Sequence, residues 1–183
     1  MENDHPKNLL SINGQLSARF VDKICERLIG NRDQGPLHVL LCSDGGESGA
    51  GVRLYEFFSH FSGDLTVYAS VAQSAAAIAF LGAPKKKVLP YGTVMFHAVM
   101  TQMGGLANIE NLRAAIEVAS GQDRTLRAIV GKHLPNITKA EWKSYDDGHF
   151  YVSFDRLVAL GLLGASDQCD FPAGRAAHIV PGL

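Results

Sequence analysis

The sequence lacks an excess of charge of either sign and any long apolar run. Its 183 residues carry 17 Lys and Arg against 18 Asp and Glu, for a net charge of −1. This balance gives no electrostatic reason to expect nucleic acid or an anionic membrane as a partner. The start, M-E-N-D-H-P-K, is polar and no long apolar run follows it. We therefore expect neither a signal peptide nor a membrane span.

Cysteine is scarce as well. Cys25, Cys42 and Cys169 are widely spaced and odd in number, which favours reduced thiols and a cytoplasmic location over a disulfide framework. The histidines show no close pairing of the zinc type with these cysteines, so we expect no metal site.

What is present is enough apolar material for one core. The hydrophobic content is 46%, and we expect a single domain over residues 1–183. A short apolar strand at Leu9–Ile12 is followed by an amphipathic helix from Ser17 to about Ile29 and an apolar strand at His38–Cys42. Alternation of strand and helix is typical of an α/β domain.

The glycine-rich segment 43–51, S-D-G-G-E-S-G-A-G, begins like a phosphate-binding loop. Such a loop requires Lys and then Ser or Thr after its last glycine, whereas Val52 and Arg53 follow here, so nucleotide binding is not expected. The segment is predicted to be a strand-to-helix turn that glycine makes possible. In a functional interpretation, Gly45 and Gly46 leave backbone N–H groups free for an oxyanion hole.

Ser74 lies at a second predicted strand-to-helix turn. Leu65–Ser70 is predicted to be a strand and the small, apolar run Ala75–Ala83 a buried helix. The free N–H groups of its first turn, including that of Ala75, and the positive end of the helix dipole would stabilise an oxyanion beside the serine. The structural alternative is a simple N-cap serine.

His97 ends the next predicted strand. Val94–Phe96 alternates as a strand does, with His97 at its end. A serine and a histidine on neighbouring strand ends are a candidate nucleophile and base. The alternative for His97 is a half-exposed polar residue without a catalytic role.

A long helix is predicted in the second half of the chain. Met103–Gly105 is expected to be a loop, and the apolar spacing predicts a helix from about Ala107 to His133 with an interruption at Ser120-Gly121. A helix of this length is expected to project, as a handle region over about 104–135, and to pack its apolar side against another subunit.

Shorter elements follow the long helix. Thr138–Glu141 is a capping box that opens a helix, and Ser153 is predicted to cap a last helix through Leu160 that ends at Gly161. The tail, about 165–183, is expected to be loosely held.

Together these segments resemble the proteolytic subunit of the Clp protease, a serine peptidase family of the crotonase-like fold. The family shows N-S-P-G-G-S-V-x-A-G where residues 43–51 stand, and L-P-N-S-x-V-M-I-H where residues 89–97 read L-P-Y-G-T-V-M-F-H. The S-V-A-Q-S of 70–74 stands at its G-x-A-A-S, Gly104-Gly105 at a glycine pair, and residues 149–162 near its D-x-F-x-S and A-x-E-A-x-x-Y-G-L. The resemblance covers about Ile12 to Leu163 and implies an α/β fold of repeated β-β-α units with a projecting handle helix.

The resemblance also implies a function. A family member would be a serine endopeptidase that cleaves peptides or unfolded protein without a cofactor, with Ser74 as nucleophile, His97 as base and the N–H groups of Gly46 and Ala75 as oxyanion hole. The substrate would pair as an added strand beside residues 45–49. The family assembles into homo-oligomeric rings, so a heptamer or two heptamers joined through the handle helix is expected.

Three departures from the family pattern leave questions open. An ungapped alignment places Gln73 at the nucleophile position, but glutamine cannot act as a nucleophile, so we favour Ser74. His149 stands where the family has its acid, so Asp147, or else Asp146, is the candidate orienting acid. Only a short segment precedes the first predicted strand, where the family has an axial segment and a helix, so a partner ATPase is left open.

Two other functions fit parts of the sequence. A catalytically silent homologue would keep the fold and oligomerise without cleaving, which Gln73 and His149 favour. An acyl-CoA enzyme of the crotonase superfamily would share the paired N–H groups but needs no serine, and the V-M-F-H match argues against it.

Overall fold

The central feature of the computed structural model, which describes residues 8–101, 108–172 and 177–179, is one mixed sheet with helices beside it. In chain order the elements are β1 (Leu9–Asn13), α1 (Ala18–Asn31), β2 (Leu37–Ser43), α2 (Ser48–Ser59), β3 (Leu65–Gln73), α3 (Ala75–Gly82), β4 (Lys85–Phe96), α4 (Ile109–His133), α5 (Lys139–Asp146), β5 (Phe150–Val152), α6 (Phe154–Ala159) and β6 (Ala177–Ile179). The α/β class expected from the sequence is confirmed.

The sheet has six strands in the order β5-β4-β3-β2-β1-β6. All neighbours are parallel except β5, which is antiparallel to β4. Because β1 to β4 are adjacent in sequence order, right-handed crossovers carry α1, α2 and α3 across the same face. Residues of β2 alternate between buried and half-buried, so one face of the sheet packs on the helices. The carboxyl ends of β2, β3 and β4 therefore meet at one edge.

Local capping signals act as the sequence predicts. The Ser17 hydroxyl accepts a hydrogen bond from the Phe20 N–H at the start of α1. Thr138 and Glu141 form a capping box at the start of α5, and Ser153 caps α6. Side-chain oxygens satisfy N–H groups that the first turn of each helix leaves unpaired, so these starts need no distant contact.

Helix α3 is buried along its whole length, and glycines allow α2 to approach it. A Cβ on Gly51 would lie 2.6 Å from the Ala75 carbonyl oxygen, and a Cβ on Gly82 would lie 2.3 Å from the Tyr55 oxygen. Contacts this short with backbone atoms would force the helices apart. The first turn of α3, next to Ser74, is thus held in place by α2.

Helix α4 runs unbroken from Ile109 to His133, so the predicted interruption at Ser120-Gly121 is wrong. A glycine within a helix costs only about 1 kcal/mol, and packing of the following turns offsets that cost. Leu126, Ile129 and Val130 are buried, whereas Ile116 is 65% exposed. The predicted loop at 103–105 and the predicted helix start at 107 lie outside the described residues.

The carboxyl-terminal region is more ordered than expected. Gln168 forms a bridge with Val88 of β4, and the Phe171 ring packs edge-on against Tyr68 of β3, with centroids 5.1 Å apart. Residues 177–179 then add β6 to the edge of β1. The expectation of a loose tail from residue 165 is therefore wrong for these parts, because the sheet offers both a surface and an open edge. No helix within the described ranges is long and apolar enough to cross a bilayer.

Candidate active site

Ser74 occupies a strained turn between β3 and α3. Its φ of 55° makes it the one non-glycine residue with positive φ among those described, and its ψ is −125°. Such a backbone costs roughly 1–3 kcal/mol and is common where a side chain must be presented at a functional site. The Ser74 hydroxyl makes no capping hydrogen bond to α3, so the N-cap alternative does not explain this serine. Gln73 is the last residue of β3 and pairs with Met95.

His97 directly follows β4, beside Ser74. The Ser74 N–H donates to the Met95 carbonyl oxygen at 2.8 Å, so the two residues begin on adjacent strand ends. The His97 Nδ1 lies 2.6 Å from the Ala98 carbonyl oxygen. Because a carbonyl can only accept, Nδ1 carries the proton and the Nε2 of the neutral ring is left as an acceptor. That tautomer is the one a general base requires.

Gly45 and Gly46 pass close to Ser74 and to the β1–α1 connection. Their φ values are 110° and 143°. A Cβ on Gly45 would lie 2.6 Å from the Ser74 Cβ, and one on Gly46 would lie 2.2 Å from the Leu16 carbonyl oxygen. Both positions therefore require glycine for space and for backbone conformation. This explains the glycine-rich segment without a phosphate.

Two backbone N–H groups near the serine are unused. The Gly45 carbonyl and the Glu47 N–H both bond to Leu16, which leaves Gly46 facing the opposite side. Within the described part of the chain, no hydrogen bond is donated by the Gly46 N–H, and Ala75 begins α3, where N–H groups have no partner in the helix. Together with the positive end of the helix dipole, these groups can stabilise negative charge.

Asp147 caps the carboxyl end of α5 and is paired elsewhere. Lys143 Nζ lies 2.7 Å from its Oδ2, and this hydrogen bond lowers the pKa of Asp147. The neighbouring Asp146 binds Arg127, and His149 places its Nδ1 3.0 Å from the Asp147 carbonyl oxygen. The predicted acid is thus engaged by a lysine, and its role stays a prediction.

A different carboxylate approaches the segment after His97. Asp123 of α4 accepts a hydrogen bond from the Val99 N–H, at 3.0 Å from Oδ1. Sequence reasoning missed this residue, although one signal was present. Asp123 precedes the buried Leu126 and Val130 by one and two helical turns, so a carboxylate occurs within an apolar stripe, where an unpaired charge would be costly. Among the described residues, no group of His, Cys, Asp and Glu side chains is arranged to hold a metal ion.

Comparisons with known proteins agree with this arrangement. The structure is similar to a ClpP1 mutant from Listeria monocytogenes, with a TM-score of 0.70, 14% sequence identity, and coverage of 85% of this chain and 88% of that chain. No curated protein gave a significant match. A family model described as Clp protease matches residues 6–162. With its crotonase-like α/β fold, this chain belongs to the Clp protease family.

Proposed function

We propose that the chain is a serine endopeptidase that cleaves peptides or unfolded protein through an acyl-enzyme. The observation that carries the proposal is the backbone of Ser74, held at φ 55° with its hydroxyl unspent, next to the strand that ends at His97. A strained strand-to-helix turn is how other serine hydrolases present a nucleophile. Membership of the Clp protease family supports the same chemistry.

In the proposed mechanism, Ser74 Oγ attacks the scissile carbonyl as His97 Nε2 takes its proton. The N–H groups of Gly46 and Ala75 bind the oxyanion, for which one lost donor costs on the order of 10²–10³-fold in other serine proteases. His97 then protonates the leaving amine, and a water molecule attacks the acyl-enzyme by the reverse sequence. No cofactor is needed.

We propose that the substrate binds in extended form beside residues 45–49. One edge of this segment already pairs with Leu16, and the N–H of Gly46 faces the other side. Addition of a strand at that edge would recognise the substrate backbone more than its side chains.

We propose a homo-oligomeric ring, a heptamer or two stacked heptamers, as the working state. The amino-terminal half of α4 carries exposed apolar side chains, with Ile109 at 66% and Val118 at 62% exposure. Several exposed apolar side chains along one helix are typical of an interface between subunits. Whether an ATPase unfoldase supplies the substrate is tested by adding one, with ATP, to a peptidase assay.

A catalytically silent homologue is the second candidate. It is favoured by the pairing of Asp147 with Lys143 and by His149 at the family's acid position. Loss of the orienting acid lowers the rate of one well-studied serine protease by about 10⁴-fold, so a chain without such an acid could be kept only for its fold.

The deciding experiment is intact-mass spectrometry after treatment with a fluorophosphonate. A single adduct on Ser74, lost in Ser74→Ala and in His97→Ala, would support an activated serine. Ser70→Ala, on the same strand, is the matched control and should label like the unaltered protein. If the folded protein forms no adduct, the silent homologue is correct.

A further inference from the structure

One peptide group lies between His97 and the carboxylate of Asp123. Its carbonyl oxygen, from Ala98, lies 2.6 Å from His97 Nδ1. Its N–H, from Val99, donates to Asp123 Oδ1 at 3.0 Å. The imidazole, the peptide and the carboxylate therefore form one continuous chain of hydrogen bonds, in which each donor points the same way.

Asp123 is itself fixed from three sides. Arg127 Nε lies 2.8 Å from Oδ2, and the Tyr145 hydroxyl donates to Oδ1 at 3.3 Å. The guanidinium of Arg127 also binds Asp146 and lies over the Tyr145 ring, 4.8 Å from its centroid. One guanidinium faces two carboxylates, so the cluster keeps a net negative charge.

The backbone of Ala98 is held from both of its sides. Its N–H donates to the Tyr145 carbonyl oxygen of α5 at 3.0 Å, and the next N–H binds Asp123 of α4. The peptide plane cannot rotate without breaking one of these bonds. The carbonyl that accepts from His97 is thus aimed by two helices.

We propose that Asp123 is a positioning residue that orients His97 through the peptide group between Ala98 and Val99. A carboxylate bound to the N–H of an amide polarises its carbonyl, and successive hydrogen bonds strengthen one another. The carbonyl then favours the Nδ1–H form of the ring and stabilises the imidazolium that forms when Ser74 is deprotonated. This inference rests on the proposed peptidase function, and it explains how a chain with His149 at the family's acid position keeps its histidine oriented.

The test compares Asp123→Ala with Glu110→Ala, which removes an exposed carboxylate from the same helix. Two readouts are used: the rate of fluorophosphonate labelling, and the tautomer of His97 from ¹⁵N-histidine NMR, assigned with His97→Gln. Asp123→Ala should slow labelling about 10- to 100-fold, as loss of an outer-shell orienting group does elsewhere, and should shift His97 from the Nδ1–H form toward the Nε2–H form. Glu110→Ala should change neither.

Two further variants separate orientation from simple packing. Asp123→Asn keeps an oxygen that can accept from Val99 and is nearly isosteric, so it should fold, keep most of the Nδ1–H form and label at an intermediate rate. Tyr145→Phe removes a different contact of Asp123 and leaves the peptide relay in place. It should slow labelling by less than about threefold, well below the effect expected of an outer-shell orienting group.

The possible failures are distinguishable. An unchanged tautomer and an unchanged labelling rate in Asp123→Ala would overturn the proposal, as would loss of labelling in Asp147→Asn alone, which would make Asp147 the direct acid. Both results leave the peptidase function intact. If the unaltered protein does not label but Asp123→Ala still changes the tautomer, the relay stands and the peptidase function fails.

Discussion

The substitution Gly45→Ala tests how closely the glycine-rich segment packs against the serine. The new Cβ would lie 2.6 Å from the Ser74 Cβ and 2.8 Å from the Gln73 carbonyl oxygen, and neither atom belongs to a flexible side-chain end. The φ of 110° at Gly45 adds roughly 1–3 kcal/mol of strain for a residue with a Cβ. Overpacking adds about 1–3 kcal/mol more. We expect the free energy of unfolding to fall by about 3 kcal/mol or more.

The same substitution should move Ser74 away from its reactive position. A displacement of about 1 Å can cost on the order of 10²-fold in rate, so fluorophosphonate labelling should be slowed by that order in protein that is still folded. The measurements are urea unfolding followed by circular dichroism, and labelling kinetics below the unfolding transition.

Gly49→Ala is the matched control for this prediction. Gly49 lies in the first turns of α2 and a Cβ there would meet nothing within 4 Å. Alanine should stabilise the helix by roughly 0.5–1 kcal/mol and leave labelling unchanged. If Gly45→Ala behaves like Gly49→Ala in both assays, the close approach of residue 45 to the nucleophile is refuted.

Three further predictions concern acid stability, backbone strain and assembly. Hydrogen bonds from Arg156 lower the pKa of Glu141 to about 2, so the pair stabilises the fold above the unfolded pKa of about 4.3 and this contribution is lost as the pH falls toward 2. Arg156→Gln should therefore destabilise the protein at pH 7 by on the order of 1 kcal/mol, given solvent screening, and urea unfolding should show the difference shrinking below about pH 4. Ser74→Gly should unfold at higher urea than Ser74→Ala, by roughly 0.5–1 kcal/mol, because glycine tolerates φ 55°; equal midpoints would mean that the turn is unstrained. Ile116→Glu should lower the mass of the assembly in light scattering, because it places a charge on the exposed apolar side of α4; an unchanged mass would exclude this side as the interface.

Local features of the fold could be predicted because their physical causes are local. Ser17, Thr138 and Ser153 cap their helices with side chains that reach only three residues along the chain. The continuity of α4 through Ser120-Gly121 could not be predicted in this way, because the burial of its later turns outweighs a weak local preference. The sheet position of residues 177–179 likewise depends on the open edge of β1, which is distant in sequence.

The sequence by itself determined that Ser74 and His97 would end neighbouring strands, because alternating strand patterns and a helix start fix which residues stand at the turns. The tertiary structure alone decided what surrounds the histidine. Asp123 reaches the peptide behind His97 only because α4 packs its buried turns against the domain, and Asp147 turns to Lys143 one helical turn away. Hydrogen bonds between distant segments depend on packing, and no spacing along the chain records them.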